Sequence, residues 1–167
     1  GSCLAPSLRT DAGGRVALGS GDLRVVPVID VVVATAPGDI HDRFRAFSLR
    51  DRLRLPDGSA APNHVIWTRR PTDPGLPPDD ETPFGADAMV QAVLALDEWA
   101  SAVESDEAEG NRAEVVARNR PDDVADECLD AATGAPLRGD DVYAPGGACA
   151  DEFPVHGSET RDTDVDG

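Results

Sequence analysis

VVPVIDVVVATAPGDIHDRFRAFSLRDRLRLPDGSAAPNHVIWT, residues 25–68, decides the fold. An apolar, β-branched run over 24–33 meets the turn Pro37-Gly38-Asp39. Helix-spaced apolar residues follow over 40–55, and a second apolar run occupies 63–68. Strand, turn, helix and strand in that order form the repeating unit of a parallel α/β sheet. The first run is continuous rather than alternating, as in a strand covered on both faces, and Pro27 puts it early in a strand or at a sheet edge. Asp39 suits the N-cap of the helix, where Ile40, Phe44 and Phe47 share a face with Leu49 and Leu53 beside them. Arg43, Arg45, Arg50, Arg52 and Arg54 line the outer side, solvated or paired with surplus Asp. Pro56-Asp57-Gly58 ends the helix.

Outside that unit the pattern thins. Residues 1–23 carry scattered glycines and read as an irregular segment with a short strand at 15–18. The proline- and Asp-rich stretch 69–83 reads as a surface loop. A helix over 86–105 follows, with a stripe of Met89 or Val90, Val93, Leu96, Ala100 and Val103, and with Trp99 flanking it. Shorter helices are expected over 112–118 and 121–129, and no packed element beyond Ala131. The organisation is therefore 1–23 irregular, 24–130 α/β, and 131–167 an irregular, acidic, cysteine-containing tail. Two or three strands and two long helices make a thin core for 167 residues. The fold class is α/β, read as a partial fragment of a larger protein. A small α/β domain with long loops is the plainer alternative.

Thirty-two Asp and Glu face 15 basic residues, all of them Arg, for a net charge of −17. Such a surface repels nucleic-acid phosphates and anionic membranes, so neither is an expected partner. An Asp-rich, Lys-free composition suits a protein hydrated in concentrated salt, and a halophilic source is expected; compositional bias alone is the alternative. No signal peptide or transmembrane run is visible. Of the three cysteines, Cys128 and Cys149 lie close enough in sequence for a bridge worth about 3 kcal/mol, and a disulfide would point to an exported protein. Cys3 is left over, and the pairing stays open. No closed zinc site is expected.

Catalytic candidates gather at the strand-to-helix turn Asp39-Ile40-His41-Asp42, because ligands in parallel sheets collect where strands end and helices begin. Asp39 can orient a histidine, and His41 can act as a general base near neutral pH. The bland readings are a capping Asp39 and a surface His41. Asp30, inside the apolar run, is the third candidate, since a carboxylate there is costly unless paired or functional. No G-x-S-x-G, H-E-x-x-H, P-loop or G-x-G-x-x-G occurs, so a hydrolase nucleophile would lie outside these residues. In a Ser–acid–His order Asp39 has the acid's setting. No histidine occurs between Arg69 and Cys149, so either His41 takes the base role or the triad reading fails. At the end, Asp162, Asp164 and Asp166 spell D-x-D-x-D-G, the first half of a calcium loop; in a chain this rich in Asp, chance accounts for it more readily than a site.

Several strings occur together: PVID at 27–30, GDIHDRFRAFSLRDRL at 38–53, NHVIWT at 63–68, ALDEW at 95–99, VVARNRPDDVADECLDA at 115–131 and GGACADEFPVHGSETR at 146–161. In that order they resemble the bacterial and archaeal secreted family known as domain of unknown function 6351, over Arg24 to about Arg161 and only the C-terminal portion of a member. The resemblance implies an α/β-hydrolase-like architecture related to tannase and feruloyl esterase, without an established reaction. It puts Asp39 and His41 in a D-I-H motif and matches Cys128 and Cys149 to cysteine-bearing positions, while family members continue into a further cysteine-containing segment. An extracellular or cell-envelope location is implied.

The resulting expectation is the C-terminal part of a secreted hydrolase-like protein, read as an esterase acting on a small-molecule ester. It would be inactive without an upstream hydrolase portion and would need no cofactor. The competing class is a non-catalytic acidic extracellular domain that binds calcium or a protein partner.

Overall fold

A computed structural model describes residues 23–34, 44–53, 62–70 and 86–153. Four strands, β1 (Val28–Val33), β2 (His64–Arg69), β3 (Glu127–Leu129) and β4 (Pro136–Arg138), form one sheet in sequential order. β1, β2 and β3 are parallel, and β4 returns antiparallel to β3. Four helices accompany them: α1 (Phe44–Leu53), α2 (Ala86–Ser105), α3 (Arg112–Arg118) and α4 (Ala148–Glu152). The parallel α/β unit of 25–68 is thus present; Pro27 comes just before β1, which stands at the end of the sheet among the described residues.

Each face of the sheet has its own cover. Odd-numbered positions of β1 and β2 (Ile29, Val31, Val65, Trp67) pack against Ala92, Trp99 and Val103 of α2 and Val115 and Val116 of α3. Even-numbered positions (Val32, Ile66) pack against Ala46 and Phe47 of α1 and against Tyr143. Two covered faces require two apolar faces, which is why these strands read as unbroken apolar runs. The steps from β1 to β2 and from β2 to β3 run the same way across the sheet, with helices on opposite faces. The two crossovers therefore have opposite hands, and one departs from the usual right-handed form.

α2 is rotated from its expected face. Its buried line is Ala88, Ala92, Trp99 and Val103, whereas Met89, Val90, Val93 and Leu94 are exposed. Trp99 sets the phase: it is fully buried, and its indole N–H donates to the Val116 carbonyl at 2.8 Å, locking α2 to α3. Small alanines on the same line let the backbone approach the sheet. α3 opens with a capping box in which Asn111 accepts from the Glu114 amide and Glu114 accepts from the Asn111 amide. Asp106, just past α2, accepts from the Arg118 guanidinium and from Asn119. These bonds hold its carboxyl well below the usual carboxylate range and tie the two helix ends together.

The expected helix over 121–129 is instead a turn followed by β3, whose Cys128 is fully buried. The stretch after Ala131, read as lacking packed elements, holds β4 and α4. A Cys128–Cys149 disulfide joins β3 to α4, with Cα atoms 5.8 Å apart and Phe153 buried beside it. Tertiary packing here overrides weak local propensity. Gly147, at the start of α4, lies against the 141–142 backbone: a Cβ there would sit 2.4 Å from the Asp141 carbonyl oxygen. The suggested strand at 15–18 and Cys3 fall outside the described residues.

Candidate functional site

In the β1–β2 register Val28 pairs with His64 and Asp30 with Ile66, so Asp30 and His64 are diagonal neighbours on the α1 face. His64 is completely buried at its side chain, while Asp30 is 35% exposed. Nε2 of His64 lies 2.8 Å from Oδ2 of Asp30. On the other side of the ring, Nε of Arg50 donates to Nδ1 at 3.3 Å. With Nδ1 accepting, a neutral ring carries its proton on Nε2 and donates to Asp30. Burial of Asp30 is thus met by a partner, one of the two outcomes its position demands.

Arg50 reaches this place because α1 lays its inner face on the sheet and the guanidinium spans from β2 to the approach of β3. It donates to both carboxylate oxygens of Asp126, at 2.5 and 2.7 Å, and to the His64 carbonyl at 3.2 Å. Oδ1 of Asp126 also accepts from the Ile66 amide at 2.9 Å. A bidentate pair with its remaining lone pairs satisfied is the form in which charges tolerate burial. The result is a line of four side chains, Asp30, His64, Arg50 and Asp126, crossing beneath α1. Both ring nitrogens of His64 are engaged, so the ring orients Asp30; it is not a free proton carrier. Asp30 is the member that meets solvent.

Asp39 and His41 lie outside the described residues, as do Asp162, Asp164 and Asp166. What is described is their setting: β1 ends at Val33, α1 begins at Phe44, and the connecting residues carry Asp39 and His41. Near the carboxyl end of β2, the Tyr143 hydroxyl bridges Oγ1 of Thr68 at 2.6 Å and the Glu127 carbonyl at 2.8 Å, with its ring edge-on to Phe47. Among the described residues, no cluster of three or more His, Cys, Asp or Glu could hold a metal ion, and no helix is long and apolar enough to cross a membrane.

His64, Arg50 and Asp126 were not singled out from the sequence. The available signal was Asn63-His64, two polar residues opening an apolar strand. Both are buried, and Asn63 donates to the carbonyls of Leu23 and Val26. Arg50, expected on the outer side of its helix and either solvated or paired with Asp, pairs with Asp126 under the helix.

A family model described as "tannase-like family of unknown function (DUF6351)" matches residues 9–163, nearly the entire chain. No curated protein and no solved structure matches.

Proposed function

The chain belongs to the tannase-like family of unknown function, DUF6351, and from that premise we propose that it supplies the acid and histidine of an ester-hydrolysing site at the carboxyl edge of β1. The observation that carries this is the parallel β1–β2 pair. The link from β1 to α1 holds Asp39 and His41, where parallel sheets gather their chemistry. In this proposal His41 is given the base role, and His64, with both ring nitrogens hydrogen-bonded, a positioning role.

In this reading a serine from outside these residues is the nucleophile. His41 takes the hydroxyl proton as Oγ attacks the ester carbonyl, then returns it to the departing alkoxide. A water molecule, activated by the same ring, releases the acid from the acyl-enzyme. Asp39 orients His41 and stabilises the imidazolium. Asp30, held by His64 on the α1 face of β1, is assigned a positioning role. The Cys128–Cys149 bridge supports a location outside the reducing cytosol.

The test is hydrolysis of p-nitrophenyl acetate and of phenolic esters by the chain alone and joined to a serine-bearing hydrolase portion. We expect turnover only from the joined form, and a loss of kcat of at least about 100-fold in Asp39→Asn and His41→Ala, in line with general-base catalysis. Robust turnover by the chain alone, or activity indifferent to both substitutions, would overturn the reading.

A further inference from the structure

Two rows of side chains, each stepping by one helical turn, run along the outer side of α2. Met89, Val93 and Asp97 make one row, and Val90, Leu94 and Glu98 make the other. The apolar members are between 46% and 60% exposed, and both carboxylates are exposed as well. Large apolar side chains standing side by side in solvent mark a contact surface, as singly scattered ones do not. They cannot turn inward, because the buried Trp99 fixes the rotation of the helix through its bond to Val116.

The charge around this patch has one sign. α2 carries Asp87, Asp97, Glu98 and Glu104 and no basic residue. Asp123, also exposed, lines the same cleft as Leu94 and Glu98. The two arginines of that cleft, Arg69 and Arg138, both pair with Glu127. Asp97, Glu98 and Asp123 make no hydrogen bond and no ion pair among the described residues.

We propose that this side of α2 docks a basic amphipathic helix of a partner protein. The groove between the two rows accepts a ridge of apolar side chains spaced by four residues, the commonest way in which helices pack. One turn further along, Arg or Lys of the partner meets Asp97, Glu98 and Asp123. The recognised pattern is thus two apolar residues four apart, with a basic residue at the adjoining turn. A second copy of this chain fits poorly, since it would set carboxylate against carboxylate on a chain of net charge −17. α2 covers the side of the sheet opposite α1, so this docking face stands or falls separately from the esterase reading.

The test is fluorescence anisotropy of a dye-labelled Leu/Ala/Arg peptide of about 18 residues, long enough to form a helix, titrated with the full chain. Its leucines fall on one helical face and its arginines flank them. One control peptide has the same composition in scrambled order, which keeps the charge and loses the face. A second has Glu in place of Arg, which keeps the face and reverses the charge. Leu94→Asp and the double variant Asp97→Asn/Glu98→Gln change only exposed side chains, and circular dichroism checks that they fold. We expect saturable one-to-one binding, weakened about tenfold or more by Leu94→Asp, the scale of one leucine denied burial. The double variant should weaken it roughly fivefold, as for two exposed ion pairs. Both control peptides should bind at least about tenfold more weakly. Absence of saturable binding, a control peptide as tight as the ordered basic one, or parent affinity in Leu94→Asp would overturn the proposal. So would a chain that sediments as a dimer dissociated by Leu94→Asp, because a second copy would then be the occupant.

Discussion

Cutting the Arg50–Asp126 pair should unfold this protein far more readily than its polar identity suggests. The two side chains are only 15% and 5% exposed, and every oxygen of Asp126 is spoken for. Asp126→Ala strands a guanidinium under α1 and leaves the Ile66 amide without its acceptor. Arg50→Met strands the carboxylate. Removing one partner of a buried pair costs about 3–5 kcal/mol, a large part of the roughly 5–15 kcal/mol available to a domain. The double variant removes both charges and fills part of the space with methionine, so its loss should fall well short of the sum. A coupling of about 2–3 kcal/mol is expected, within the range for side chains in direct contact. Urea unfolding of the four proteins at pH 7, followed by circular dichroism, measures this directly. Single losses below about 1 kcal/mol, as for exposed ion pairs, or strict additivity, would refute the assignment of this pair as a buried clamp. Because Nε of Arg50 also donates to Nδ1 of His64, Arg50→Met should move the His64 ring-nitrogen resonances as well.

Asp106 titrates below the ordinary carboxylate range, because Arg118 and Asn119 bind its charged form. A carboxyl depressed on folding contributes stability above its unfolded pKa, near 3.9, and that contribution fades as pH falls through the folded value. The melting-temperature gap between the parent and Asp106→Asn should therefore be full at neutral pH and shrink below about pH 4; a gap independent of pH would contradict this. Replacing Cys128 and Cys149 by Ser opens a loop with a sequence separation of 21, and denaturant melts should show a loss of about 3 kcal/mol on the chain-entropy scale. Gly147→Ala should lower the melting temperature, since its Cβ would meet two backbone carbonyl oxygens at 2.4 and 2.5 Å. An unchanged melt would mean the 141–142 turn yields freely.

Local pattern determined the β1–α1–β2 unit. An unbroken β-branched run, a glycine-marked turn, a helical stripe and a second apolar run admit few other arrangements, and Pro27, lacking an N–H, suits the start of a strand or a sheet edge. The short helix expected over 112–118 is likewise present as α3, and the structure adds the Asn111–Glu114 capping box that opens it. Pairing across distance was not legible. His64, Arg50 and Asp126 meet only when α1 is laid over β2 and the turn before β3 comes alongside, contacts separated by 14 and 76 residues. The face presented by α2 was likewise settled by one indole finding a carbonyl on α3, which turned Met89, Val90 and Val93 outward. β4 and α4 owe their places to the sheet edge and the disulfide; the bridge was one pairing the cysteine spacing left open, but short, weakly patterned segments do not signal the elements it anchors. Periodicity is a property of neighbours along the chain and can be read there. The partner that makes a buried charge tolerable is a property of neighbours in space, and only the folded sheet brings it within reach.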